Sequence, residues 1–176
     1  LDPTVGLVDP GLLVWGLADA AERLGVRLHE DTAVTGFDEE HGCVVVRTEW
    51  GSVRAERVVL GTGAFRGLLR RLALYTLPVY DHVLMTEPLT SAQLAAIGLE
   101  GREGLTDAAN QFHYYRRTLD DRILFGGYDA NYHFPGRIDP SLEQSASHTL
   151  LGEHFFSIFP QLEGLRFTHR WGGVID

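Results

Sequence analysis

The chain has 176 residues, 44% of them hydrophobic and 22% charged, the make-up of one or two small globular domains with enough length for a sizeable core. Fifteen basic against 24 acidic residues give a net charge of −9 without a basic stripe, which excludes a nucleic-acid surface and leaves solubility or the steering of a cationic substrate as the use of the acidity. The single cysteine, Cys43, excludes an internal disulfide and a Cys-based zinc site and fits a reducing, cytoplasmic setting, while no apolar run approaches the roughly 20 residues that span a bilayer.

Residues 8–24 predict a helix, with Leu12, Leu13, Leu17, Ala20, Ala21 and Leu24 on one face, Asp9 and Pro10 as cap and first turn, and Gly25 as stop. A short strand is expected at 26–30. A three-stranded meander follows at 34–37, 43–49 and 53–60, ending in the apolar Val58, Val59 and Leu60 and turning at 40–42 and 50–52. Residues 77–86 predict a long strand with Pro78 near its start. Residues 91–97 predict a short helix capped by Ser91 and stopped by Gly98. Two strands, 112–117 and 122–128, flank a turn at 118–121, a helix is expected over 140–159, and a last strand begins at Leu165.

Two patterns are set aside. Gly61, Gly63 and Gly67 follow an apolar run, but their spacing is not G-x-G-x-x-G, and too few residues separate Phe65 from Tyr75 for a crossover helix. Of the eight histidines only His148 and His154 share an element, and their spacing of six is expected to put them on opposite faces of a helix, so no metal site is expected. On the strand at 112–117, alternation sends Phe112 and Tyr114 to one face and His113 and Tyr115 to the other. Either pair lines a site, or all four serve packing between sheet and helices.

Five blocks in order carry a resemblance: GLVDPGLLVWGL at 6–17, RVVLGTGAF at 57–65, LPVYDHVLMTEPL at 77–89, NQFHYYRRTLDDRILFGGYD at 110–129 and FPQLEGLRFTHRWGGVID at 159–176. Together they resemble the flavin-dependent oxidoreductases of the D-amino-acid oxidase superfamily, and among these the gamma-glutamylputrescine oxidase-like branch. The sequence, which starts without Met and stops inside the Arg-Trp-Gly-Gly block, is expected to be the middle of a larger enzyme.

The resemblance implies an α+β fold. It consists of the returning part of a FAD-binding domain of the glutathione-reductase type over 1–66, an antiparallel-sheet substrate domain with helices on one face over 67–164, and the start of the strand returning to the FAD domain over 165–176. It implies FAD as cofactor, with Val34 at the position whose backbone meets the adenine and Gly61, Thr62 and Gly63 as the turn beside the phosphates, Gly61 standing where alanine is usual. Trp171, Gly172 and Gly173 match the strand beside the flavin ring. Relatives acting on amino acids present an arginine where this chain has Ile175, and its absence implies an amine substrate in place of an alpha-amino acid. The implied reaction passes hydride from a neutral amine to FAD, with dioxygen as acceptor and imine and peroxide as products. Tyr114 and His113, one from each face of their strand, are the candidates for the reacting centre, and Tyr128, Tyr132, His133 and Ile175 for substrate binding. The competing expectation is a non-catalytic module that keeps the substrate-domain fold for binding or assembly.

Overall fold

The computed structural model describes residues 6–65, 67–99, 101–143 and 145–175. Its elements are α1 (Pro10–Arg23), β1 (Val34–Glu40), β2 (Cys43–Thr48), β3 (Gly51–Ala55), β4 (Val79–Thr86), α2 (Ser91–Ile97), β5 (Gly104–Thr106), β6 (His113–Arg117), β7 (Ile123–Gly127), β8 (Asn131–Tyr132), α3 (Ser145–Ile158) and β9 (Phe167–Ile175). Antiparallel sheets with separate helices make it an α+β chain, which divides into two units, Leu1–Gly61 and Thr62–Asp176.

In the first unit α1 starts where its sequence says it must. Asp9 Oδ1 accepts the Leu12 N–H at 3.0 Å, and Pro10 takes the first turn, where its missing N–H costs nothing. Gly25, at φ 89°, ends the helix and donates to the Glu22 carbonyl. The apolar stripe of α1 is exposed, Leu12 at 68% and Leu17 at 61%. The meander β1-β2-β3 turns first at His41 and Gly42, both at positive φ, the pair of conformations that a two-residue hairpin loop needs. Two expected strands are corrected. Residues 26–30 and 56–60 find no partner strand among the described residues, and Val59 is 92% exposed. A β-strand exists by pairing, so apolar β-branched composition alone did not make one.

The second unit is built on β4. One edge pairs with β9 from Val79↔Ile175 to Thr86↔Phe167. The other pairs with β8 at Val79 and Tyr80 and with β7 from Val83 to Met85, beyond which β6 and β5 extend the sheet. The alternate residues Tyr80, His82, Leu84 and Thr86 of β4 are all buried, on the face covered by α3. There Phe155 of α3, fully buried, meets Phe125 edge-on at 5.5 Å and lies 5.2 Å from Phe159 and from Phe167, so one ring ties β7, α3 and β9 together. The buried Thr86 hydroxyl accepts the Ile123 N–H at 2.9 Å and fixes β4 against β7.

Three local expectations are corrected here. The cap of α2 is Thr90, not Ser91, because Thr90 and Gln93 form a reciprocal capping box that puts Ser91 inside the helix. The helix expected over 140–159 is two elements. A 3-10 turn, Pro140–Leu142, is capped by Asp139, and Glu143, extended at ψ 118°, separates it from α3. His148 and His154 do not lie on opposite faces of α3. Six residues turn a helix by about 600°, leaving them about 120° apart, and both reach the sheet.

Candidate functional site on the sheet

The two faces of the larger sheet carry different chemistry. Residues directly opposite in antiparallel pairs project to the same side, so the register fixes which side chains share a face. On the side away from α3 one row runs Thr106, Tyr114, Gly126, Val83, Trp171. The next row pairs Asp81 with Gly173, and the next runs Tyr132, Val79, Ile175.

Tyr114 reaches across this open face. Its hydroxyl donates to Asp81 Oδ2 at 2.6 Å, spanning from β6 over β7 to β4. The path is clear only because Gly126 lies beneath it: a Cβ there would stand 2.6 Å from the Tyr114 oxygen and 2.7 Å from its Cζ. Burial, then the hydrogen bond to Asp81 and the charge of that carboxylate, raise the Tyr114 phenol above its ordinary range, so it stays a donor near neutrality. The other Asp81 oxygen accepts the His82 N–H at 3.0 Å. Among the described residues Asp81 joins no ion pair.

Across from Asp81, a Cβ on Gly173 would meet nothing within 4 Å, and Trp171 and Ile175 stand two residues to either side on the same face. Trp171 is 37% exposed and Tyr132 43%. Gly172 points the other way, where Glu143 Cγ would lie 3.1 Å from an added Cβ. At this end of β9 a cleft of about 810 Å³ is lined by Phe65, Tyr80, Arg137, Glu143, Gly172 and Gly173, among others. Tyr80 holds its wall by donating to the Asp139 carbonyl at 2.9 Å and accepting the Asp139 N–H at 2.8 Å.

The helix side holds the remaining candidates. His113 is buried between the rings of Phe125 and Tyr128, with Nδ1 2.6 Å from Asp107 Oδ2 and Nε2 2.9 Å from His154 Nδ1 of α3. That hydrogen bond is the main cause that holds the Asp107 carboxyl below its usual range. Tyr128, at φ 68°, also packs edge-on against His154. His133 sets its ring against Tyr80 at 5.6 Å, and its Nε2 is buried without a hydrogen-bond partner among the described residues. The register thus brings Tyr114, Tyr132, Trp171, Gly173 and Ile175 to one face and leaves His113 and Tyr128 on the other.

The remaining matched positions are backbone features. Val34 opens β1, the outer strand of its sheet. Gly61, Thr62 and Gly63 form an open turn in which Gly63 has φ 52°, a Cβ on either glycine would meet nothing within 4 Å, and Phe65 N–H closes back onto the Thr62 carbonyl at 3.1 Å. Backbone left bare in this way suits close approach of a cofactor phosphate. Asp81 is not among the candidate residues expected from the sequence. The signal present was a charged residue at an alternate position of a strand otherwise apolar on that face, namely Val79, Val83 and Met85. No group of three or more metal-ligating side chains occurs among the described residues, and no helix is long and apolar enough to cross a membrane.

Known proteins share this arrangement of elements. The chain is 30% identical to the probable oxidoreductase OrdL of Haemophilus influenzae over 99% of its own length and 39% of that protein's. It is 31% identical to the gamma-glutamylputrescine oxidoreductase of Escherichia coli, covering 98% of the chain and 39% of the relative. The chain therefore spans about two-fifths of the length of these relatives. The L-proline dehydrogenase of P. horikoshii superposes with a TM-score of 0.76 at 22% identity, over 98% of this chain and 45% of that one, a likeness of fold. All of residues 1–176 match the family described as DAO, FAD dependent oxidoreductase, and the chain belongs to that family.

Proposed function

We propose that the full-length protein is an amine oxidase, in which the open face of the larger sheet forms the substrate-side wall of the active site. The observation that carries this reading is the register that assembles Tyr114, Tyr132, Trp171 and Ile175 on one face beside bare Gly173. A planar aromatic and an apolar branched side chain beside backbone free of side chains suit a narrow slot between sheet and cofactor, where water is displaced and an alkyl chain is positioned. FAD, when bound, supplies the two-electron acceptor for oxidation of the C–N bond and the site at which dioxygen is reduced. In balance, an amine gives an imine with two electrons and two protons, dioxygen takes both to become peroxide, and water hydrolyses the imine.

Each residue then has a separate task. Gly61, Thr62 and Gly63 would hold the cofactor phosphates through bare backbone, the outer edge of β1 at Val34 the adenine, and Trp171, Gly172 and Gly173 the ring. Tyr114, fixed by Asp81, presents a neutral hydroxyl to the slot. His113 and Tyr128 act from beneath: His113, tied to Asp107 and His154, holds β6 against α3 and so sets the height of Tyr114. Ile175 offers a methylene contact and no partner for carboxylate oxygens, which favours an amine over an amino acid. His133 would act on the substrate side only through Tyr80, the cleft-lining ring it packs against. Residues 1–66 would serve as part of the FAD domain, whose other segments cover α1. Residues 67–164 would be the substrate domain, and 165–176 the strand leading back. The lone thiol favours the cytoplasm as the place of work.

The test is the full-length protein purified with its flavin and offered polyamines, acylated diamines, sarcosine, glycine and D-amino acids. Peroxide produced from an amine in proportion to enzyme supports the reading. A flavin-free protein that binds amines without turnover supports a non-catalytic module and ends it.

A further inference from the structure

We infer that Asp81 is an ammonium subsite, and that the substrate is a diamine or polyamine whose second, non-reacting nitrogen this carboxylate holds. The inference rests on the proposed amine oxidation and narrows its substrate class. Asp81 is half-buried on an aromatic face and takes part in no ion pair among the described residues. Its Oδ2 has one donor, the Tyr114 hydroxyl, and its Oδ1 one, the His82 N–H. Each carboxylate oxygen has two lone pairs, so accepting capacity remains on both. A partly desolvated carboxylate with two neutral donors and no cation has an incomplete shell, and a ligand cation completes it.

The space for that cation is beside it. Gly173 lies directly across the β4–β9 ladder, where an added Cβ would meet nothing within 4 Å, and the row on either side ends in Trp171 and Ile175. Trp171 and Ile175 share that face, an indole being the ring type that binds ammonium best and an isoleucine an apolar contact for methylenes. Tyr114 completes the device: seated over Gly126, it fixes Asp81 in one orientation and, as a neutral phenol, adds no competing charge.

The chemistry decides which nitrogen is held. A carboxylate within contact favours the protonated form of an amine, whereas oxidation of the C–N bond requires that nitrogen to be neutral. Asp81 is therefore suited to a nitrogen that stays charged throughout turnover and unsuited to the one that reacts.

The full-length holoenzyme tests this with two readouts. The first is the ratio of kcat/KM for 1,4-diaminobutane to that for n-butylamine, and Asp81→Asn is expected to lower this ratio by about tenfold to a hundredfold, the range of one charge-assisted hydrogen bond. The second is binding of 1,4-bis(trimethylammonio)butane, which has no nitrogen lone pair and cannot be oxidised, followed by perturbation of the flavin absorbance. Its Kd should rise at least about tenfold in Asp81→Asn and recover in part in Asp81→Glu, which keeps the charge. Equal loss on both amines, or an unchanged Kd for the bis-quaternary probe, would overturn the subsite while leaving amine oxidation standing. If the flavin-loaded wild type oxidises no amine, the proposed function falls first, and the probe titration still decides whether Asp81 binds a cation.

Discussion

Replacing Gly126 by alanine tests the geometry of the open face at one atom. A Cβ there would stand 2.6 Å from the Tyr114 oxygen, about 1 Å inside ordinary contact, so the ring must lift. Lifting breaks its bond to Asp81, and the loss of a hydrogen bond to a charged acceptor costs about 1.5–3 kcal/mol. Gly126 has an ordinary negative-φ backbone, so alanine is unstrained and returns about 0.5–1 kcal/mol through the unfolded chain. The net expectation is a loss of about 1–2 kcal/mol in urea unfolding of the full-length protein. Tyr114→Phe removes the same bond without crowding, so the two changes should be strongly non-additive in the double variant. A Gly126→Ala protein within about 0.3 kcal/mol of wild type, or strict additivity with Tyr114→Phe, would refute the seating of Tyr114 over Gly126.

Tyr114 also predicts a pH response: its phenol is raised in the folded chain by burial and then by Asp81, so its contribution is whole below about pH 10, the unfolded value, and is lost as pH climbs beyond it. Spectrophotometric titration should show one tyrosine ionising late in wild type and early in Gly126→Ala. His82 runs the other way, lowered by burial and then by the charge of His148, so stability should fall as pH drops below the ordinary histidine value of about 6.5, and His82→Gln should flatten that limb. Trp171→Ala should lower turnover per folded molecule more than stability, because a ring 37% exposed forfeits less than the roughly 3–5 kcal/mol of a buried one. Lost stability with unchanged turnover would make it a packing residue. Across a substrate panel, glycine or a D-amino acid as best substrate would show that Ile175 does not set the preference and that another side chain, such as Arg137 in the cleft, takes the carboxylate.

Local chemistry was legible in the sequence where it is self-contained. Asp9, Pro10 and Gly25 bracket α1, and His41 with Gly42 turns the first hairpin, because caps and tight turns are satisfied within a few residues. The alternation of His113 and Tyr114 was legible too, but not which face mattered, since that depends on where α3 lies. What required the fold was pairing at long range. Residues 26–30 and 58–60 have strand composition without a partner, and the two-residue β8 is a strand only because β4 offers it an edge. Asp81 is the clearest case. Its meaning comes from Tyr114, 33 residues away, and from Gly173 across a ladder, and no local pattern records either.

The most direct measurement is anaerobic titration of the full-length, flavin-loaded protein with an amine, followed by admission of air. The account predicts that 1,4-diaminobutane bleaches the flavin absorbance stoichiometrically, that air restores it with one equivalent of peroxide, and that glycine and D-amino acids bleach it far more slowly. A flavin that no amine reduces, or that an alpha-amino acid reduces fastest, would contradict it.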